Sequence, residues 1–232
     1  DSLGAEEAAQ VLLSVMGHYG DDPAVRLAAA EAYGEQNTPA AEAQQTQQIF
    51  AAQQAADHMG APNALFDYMT ALQYLEQGDL ARGLELLAAA ANSDKIATAY
   101  ALQNAQYQEQ ALIAAGMDPE AARLAAAMTV GMDESAYLTE MANSLLAEGR
   151  GLLDAGQIQA ANDVFNAVQR FGEQVAAGAL TSQEQLAGLD IQRLAIETYN
   201  ENSASLALDA AQLQTLVEGT NALVESFMQL ST

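Results

Sequence analysis

The spacing of the apolar residues is the feature that most constrains this chain. Apolar side chains recur at intervals of three and four residues along almost the whole sequence, without sustained alternation of β-branched residues. Recurrence at three and four residues is the pattern of one face of an α-helix, whereas strict alternation is the pattern of a strand. The sequence therefore predicts an all-α protein.

Capping and turn residues divide this pattern into eleven predicted helical segments. Asp22-Pro23, Thr38-Pro39 and Asp118-Pro119 each place a capping side chain before a first-turn proline. Thr181 or Ser182, followed by Glu184, approximates a capping box. The predicted segments lie near 5–17, 22–34, 38–60, 62–78, 79–92, 94–116, 118–131, 133–155, 157–177, from 181 onward, and 203–229.

Short connections between these segments determine how the predicted helices pack. Loops of about two to six residues force neighbouring helices to pack as antiparallel hairpins. We therefore expect residues 1–232 to form a single all-helical domain of about five hairpins and a terminal helix. The hairpins are expected to stack as an α-solenoid, and an irregular helical bundle is the alternative.

Two windows of the chain share one spacing of special positions. In each window, six residues follow one another at intervals of three, four, five, four and three. The first and fourth positions are small and allow close helix approach, the third is a turn glycine, and large residues fill the space between hairpins. The six positions are Ala71, Tyr74, Gly78, Gly83, Leu87 and Ala90 in the first window and Gly149, Leu152, Gly156, Ala161, Phe165 and Val168 in the second.

This spacing resembles the tetratricopeptide repeat (TPR). Gln77-Gly78-Asp79-Leu80 followed by Gly83 is similar to the turn between the two helices of that repeat. Asp22-Pro23 begins a poorer third copy, in which Glu42 replaces the expected small residue. The resemblance implies a TPR-like solenoid, which is a curved scaffold that holds a peptide or a partner subunit and has no chemistry of its own.

The charge balance narrows the class of partner. The 232 residues include 31 acidic and 7 basic side chains, and the formal net charge is −24. Nucleic acid is excluded because phosphate binding needs clustered lysine and arginine. We expect a protein or peptide that is cationic, neutral or hydrophobic, or copies of the chain itself. So acidic a surface is also compatible with diffuse binding of divalent cations.

Several residue types and patterns are missing from the chain. Without cysteine it has no disulfide, thiolate zinc site or iron–sulfur cluster. Because no run of eighteen apolar residues occurs, no helix is expected to insert into a membrane. The sequence opens at Asp1 without an initiator methionine, which fits a cleaved signal peptide. We therefore expect a periplasmic or extracellular protein, with a cytoplasmic protein as the alternative.

The candidate catalytic and metal-binding residues have simpler structural explanations. His18 lies near Asp21 where a helix ends, and His58 follows Asp57 at another helix end, where an imidazole favourably faces the terminal carbonyls. Neither Glu-x-x-His nor His-x-x-x-His occurs, and the glycines of 149–156 lack the lysine of a phosphate loop. We expect no catalytic residue, no metal site and no cofactor, and therefore no enzyme.

Tyrosine and glutamine mark two candidate contact surfaces. Tyr100 and Tyr107 lie seven residues apart on one face of the predicted sixth helix, and tyrosine is frequent at interfaces. The alternative is that both fill the core between hairpins. The glutamine-rich segment 44–54 is either a solvated helix face or a surface that pairs with another chain through side-chain amides.

Together these patterns predict a non-catalytic helical-repeat protein that mediates protein–protein interaction or assembly. The alternative is a self-assembling structural subunit of an extracellular filament, appendage or sheath. An interaction module would present an open concave face, whereas a polymer subunit would carry complementary head-to-tail surfaces.

Overall fold

A computed structural model describes residues 22–34, 36, 38–206, 218, 219 and 221 of the chain. Over these residues the structure is all-α, as predicted, with eight helices and an isolated parallel bridge between Asn63 and Ile96. The predicted segment at 5–17, most of the predicted terminal helix and the pair His18 and Asp21 lie outside the described residues. The helices are α1 (Pro23–Gly34), α2 (Pro39–His58), α3 (Ala64–Glu76), α4 (Leu80–Ala91), α5 (Ala101–Ala114), α6 (Pro119–Asp154), α7 (Ile158–Gly178) and α8 (Ser182–Asn202).

Helices that are neighbours in sequence also pack on one another. The main sequential pairs are α1 with α2, α3 with α4, α5 with α6, α6 with α7, and α7 with α8. In addition, α4 packs on α7, α3 packs on α6 and α7, and α6 packs on α8. The hairpin α3–α4 therefore packs against the hairpin α6–α7, although α5 lies between them in the sequence. This packing is consistent with an all-α helical-repeat arrangement.

Predicted caps occupy several of the helix starts. The Thr38 side chain accepts a hydrogen bond from Ala41 N at 3.2 Å, and Asp118 accepts one from Glu120 N at 3.1 Å. At α8 the predicted capping box is confirmed, since Thr181 and Glu184 each accept a bond from the backbone of the other. These bonds satisfy N–H groups that have no partner inside the helix.

Helix α6 corrects the predicted break near Gly131. One helix of 36 residues runs from Pro119 to Asp154, where the sequence predicts one segment ending at Gly131 and another starting at Asp133. A single glycine costs a helix only about 1 kcal/mol relative to alanine. The alanine-rich residues 121–127 before it are strong helix formers, so the helix continues.

The connection between α4 and α5 is a second correction. The sequence predicts helix from residue 94, but residues 93–100 are not helical and α5 begins at Ala101. In this segment Ile96 O accepts a hydrogen bond from Ala64 N at 2.9 Å, and Ala97 N donates one to Gln174 O at 3.1 Å. These bonds to distant residues replace the local bonds that a helix would make.

The buried apolar residues divide the described chain into two parts. One core cluster joins α1 to α4, the C-terminal half of α6, α7 and α8. In the described chain, this cluster has no buried member between Ala99 and Leu138. Ala122 and Ala126 are buried but do not belong to the cluster. We call residues 101–128 the arm and the helices that share the core cluster the stack.

Candidate interaction surface

The turns of the two windows have the same backbone geometry. Gly78 and Gly156 have φ values of 79° and 76°, in the left-handed region that favours glycine. The N–H of each glycine donates at 2.9 Å to the carbonyl three residues earlier. The next N–H donates to the carbonyl five residues earlier, at 2.9 Å after Gly78 and 2.8 Å after Gly156. Both turns are therefore Schellman motifs, which close a helix and reverse the chain.

The small positions of the windows lie at close helix contacts. A Cβ atom added to Gly149 would lie 2.4 Å from Cε1 of Phe165, and one added to Gly83 would lie 2.6 Å from Cδ2 of Leu75. At the positions that hold Gly149 and Phe165 in the second window, the first window has Ala71 and Leu87. The small residue is thus larger in the first window, and the large residue is smaller. Of the other window residues, Tyr74 and Leu152 are half-buried, and Ala90, Ala161 and Val168 are buried.

A buried glutamine on α7 ties the two hairpins together. The Tyr68 hydroxyl of α3 donates to Oε1 of Gln174 at 2.8 Å. Nε2 of Gln174 donates to the carbonyls of Ala90 and Ser93, both at 3.1 Å, at the end of α4. Burial raises the pKa of the Tyr68 hydroxyl, which keeps it a neutral donor. Gln174 was not among the residues predicted from the sequence, although it stands as a polar residue between Phe171 and Val175 on a buried helix face.

Tyr100 and Tyr107 contact different parts of the chain. Tyr100 precedes α5 with φ 60°, so the two side chains do not share a helix face as predicted. Its ring stacks on Phe66 at 6.2 Å between centroids, and burial raises the pKa of its hydroxyl. The Tyr107 hydroxyl donates to the carboxylate of Asp22, which also accepts from Gln103 at 2.8 Å. The two tyrosines thus attach the base of the arm to α3 and α1.

The arm exposes large apolar side chains. Leu124 is 63% exposed and Met128 is 59% exposed, and they lie one turn apart on the same face of α6. Ile113 and Met117, at the end of α5 and in the following turn, are 39% and 40% exposed. The region around the α5–α6 turn therefore presents apolar surface that the stack does not cover.

The charged residues of the arm are mostly acidic. Glu109, Asp118 and Glu120 are the acidic residues of the arm, and Arg123 is its only basic one. Nε of Arg123 lies 3.3 Å from Oε1 of Glu109, so the one positive charge is paired. Asp118 accepts from the first backbone N–H groups of α6, which orients its carboxylate at the hairpin turn.

The glutamine-rich segment on α2 has an inner and an outer side. Gln48 accepts from Nη1 of Arg26 at 3.0 Å, and Gln53 donates to Asp67 at 2.6 Å. The outer side exposes Gln44, Gln47 and Gln54 together with Phe50, which is 59% exposed. Both predicted uses of the outer side, as a solvated face or as a contact surface, stay open.

Two clefts lie between packed helices. A cleft of about 390 Å³ separates α4 from α7, with Leu87 and Ala167 in its lining and Arg170 beside them. Nε of Arg170 donates to the carbonyl of Ala91 at 3.2 Å, and Nη1 bonds Glu173 at 2.8 Å. A more open groove of about 630 Å³ lies between α6 and α8.

The described part of the chain shows no cluster of metal ligands. There, no three histidine, aspartate or glutamate side chains are placed to hold a metal ion together. His58, a candidate from the sequence, is exposed in the last turn of α2. Among the described helices, none combines the length and apolar character that crossing a membrane requires.

Comparison of the chain with protein-family models, curated proteins and solved structures finds no match. The TPR resemblance therefore rests on the residues of the two windows and stays a prediction.

Proposed function

We propose that this chain is a non-catalytic, TPR-like helical-repeat protein that binds a protein partner through the arm. The observation that carries this proposal is the set of exposed apolar side chains on the arm, above all Leu124 and Met128. Exposed apolar clusters rimmed by polar residues are typical of protein-binding surfaces. In this proposal the stack supplies a rigid base and the arm supplies the contact.

The residue types of the arm suit a binding surface. Methionine side chains are flexible and polarisable, and they adapt to partners of different shape. Ala122 and Ala126 are buried on the other side of α6, so Leu124 and Met128 are not needed to close the α5–α6 hairpin. Substituting them is therefore expected to change binding more than folding.

Site-specific photo-crosslinking tests the proposal. A photoreactive amino acid is placed at Met128 and, as a matched control, at Met59, because these two methionine side chains are 59% and 61% exposed. In cells of the source organism we expect a crosslinked product that contains a second protein only when the probe is at Met128. Equal products at both positions, or none at Met128, would contradict the assignment to the arm.

The second candidate is the self-assembling structural subunit, and the outer side of α2 favours it. No charged residue lies between Glu42 and Asp57, so two copies could meet there without repulsion between facing charges despite the net charge of −24. Phe50 is exposed at the centre of this neutral surface. Export to the periplasm or the cell exterior, expected for both candidates, stays a prediction.

Light scattering of the purified chain separates the two candidates. A subunit that polymerises through α2 would show a mass that grows with concentration, and Phe50→Glu would abolish this growth. The matched Leu124→Glu variant would still polymerise. A concentration-independent mass of 24.3 kDa, that of one chain, would eliminate self-assembly and leave the partner-binding proposal.

A further inference from the structure

We infer that the partner of the arm is a basic, amphipathic helical segment of another protein, because an exposed apolar stripe on α6 lies in an arm whose acidic residues outnumber its one basic residue, and that residue is ion-paired. This inference rests on the proposed function and adds the chemistry of the partner.

The apolar component follows from the spacing on α6. Ala121, Leu124 and Met128 stand at i, i+3 and i+7, which places them along one face of the helix, and all three are exposed. A stripe of this spacing is the surface against which the apolar face of a second helix packs. The small side chain of Ala121 leaves room for a larger apolar side chain of the partner.

The basic component follows from the charges of the arm. The arm holds three acidic residues, Glu109, Asp118 and Glu120, and a single basic one, Arg123. Arg123 is paired with Glu109 at 3.3 Å, and Glu120 lies one turn before Leu124. A partner with lysine or arginine beside its apolar face would meet opposite charges at the rim.

The same charges disfavour the other occupants of this surface. A second copy of the chain would bring a further net charge of −24 to a surface that is already acidic. An acidic peptide and an anionic lipid surface would be repelled in the same way.

Fluorescence anisotropy with designed peptides tests the inference on the full chain. The probe is a labelled 14-residue peptide of leucine and lysine, with leucine at the spacing of one helix face. The first comparison peptide has the same composition in a scrambled order, and the second replaces every lysine with glutamate. We expect only the amphipathic leucine–lysine peptide to bind.

Two double variants locate the binding site. Leu124→Gln with Met128→Gln removes the stripe, and we expect binding about tenfold weaker or less. Met59→Gln with Ile158→Gln removes two exposed apolar side chains outside the arm, and we expect unchanged affinity. Thermal unfolding of both variants verifies that the substitutions leave the fold intact.

A charge variant separates the rim from the stripe. Asp118→Asn with Glu120→Gln removes two rim charges, and asparagine retains the capping oxygen at position 118. We expect severalfold weaker binding and a shallower dependence of affinity on salt concentration.

Different contrary results would overturn the inference, the charge assignment or the proposed function. Equal binding of the scrambled peptide would overturn the inference because the attraction would then be non-specific. Unchanged binding to the variant with Leu124→Gln and Met128→Gln would overturn it for the same reason. Preference for the leucine–glutamate peptide would overturn the charge assignment. A crosslink at Met128 without binding of the leucine–lysine peptide would refute the partner chemistry and leave the proposed function intact, whereas no crosslink at Met128 would refute the proposed function itself.

Discussion

The two halves of α6 share one helical backbone and have different surroundings. In the arm, residues 119–128 of this helix bury only two small side chains, Ala122 and Ala126, and expose Leu124 and Met128. In the stack, the second half buries large side chains on the face that meets α3, α7 and α8. The large buried side chains are those of Leu138, Met141, Leu145 and Leu146.

This difference shows that one helix can be held by two kinds of interaction. The arm half has the Asp118 cap and an alanine-rich sequence, which favour a helix locally. The stack half is held by burial of apolar side chains, which is the main source of helix stability in proteins. Substitutions in the stack should therefore change stability, whereas substitutions on the exposed face of the arm should change binding.

The largest effect is expected at the polar link between the two hairpins of the stack. Gln174→Ala would leave the buried Tyr68 hydroxyl without its acceptor and would open a small cavity. We expect a loss of about 3 kcal/mol in the free energy of unfolding, measured in urea. Gln169→Ala, a half-buried glutamine of the same helix, is the control and should cost much less. Equal losses would show that Gln174 does not link the hairpins.

A smaller effect is expected at the tight contact of the second window. The added methyl of Gly149→Ala would collide with the Phe165 ring, at an expected cost of about 1 to 3 kcal/mol. Phe165→Leu should recover part of this loss, because the pair then matches Ala71 and Leu87 of the first window. The control is Gly151→Ala, which has open space around its Cβ and should be neutral or stabilising.

In a double-mutant cycle, the Gly149→Ala and Phe165→Leu double variant should therefore be more stable than the sum of the single losses predicts. Additive losses would show that the two windows are not built on the same contact.

The helix caps that follow the two turns should give changes of about 1 kcal/mol. Asp79 and Gln157 have similar backbone angles, φ −82° and ψ 70° against φ −89° and ψ 61°, but only Asp79 caps its helix with its side chain. We expect Asp79→Gln to destabilise the chain and Gln157→Asp to stabilise it. Gln157→Asn is the control that caps without adding charge. A destabilising Gln157→Asn would contradict the likeness of the two turns.

The smallest effect concerns the pH dependence of stability. Partial desolvation, and then repulsion from Glu148 and Glu42, raises the pKa of the Glu76 carboxyl above its ordinary value of 4.5. Because the folded pKa lies above the unfolded one, the charged carboxylate destabilises the fold at neutral pH, and this loss disappears as the pH falls below 4.5.

Glu76→Gln should therefore raise the melting temperature at pH 7 and have little effect at pH 4. Asp154→Asn, at the matching position of the second window, is the control for removing one negative charge. A gain from Glu76→Gln that is the same at both pH values would contradict the assigned cause.

Much of the helical structure could be predicted from local sequence. The helical spacing gave the all-α class, and Thr38, Asp118 and Thr181 marked helix starts because capping depends on residues only a few positions apart. The non-helical segment 93–100 could not be predicted in this way. Its conformation depends on Asn63 and Gln174, which are distant in the sequence.

The arm could not be predicted because its sequence pattern fits two outcomes. Leu124 and Met128 have the spacing of a buried helix face, and only the tertiary arrangement leaves them uncovered. Gly131 suggested a helix end, but alanine-rich sequence continues the helix across it and joins the arm to the stack. Exposure of this kind depends on which helices pack together and not on local propensity.

Amide hydrogen exchange along α6 tests the division into stack and arm most directly. Segments that open locally exchange at free energies below that of global unfolding, whereas core segments exchange only when the whole fold opens. We expect low protection for residues 121–128 and protection close to the global free energy of unfolding for residues 138–150. Equal protection along the whole of α6 would contradict this division, because the arm would then be part of the cooperative core.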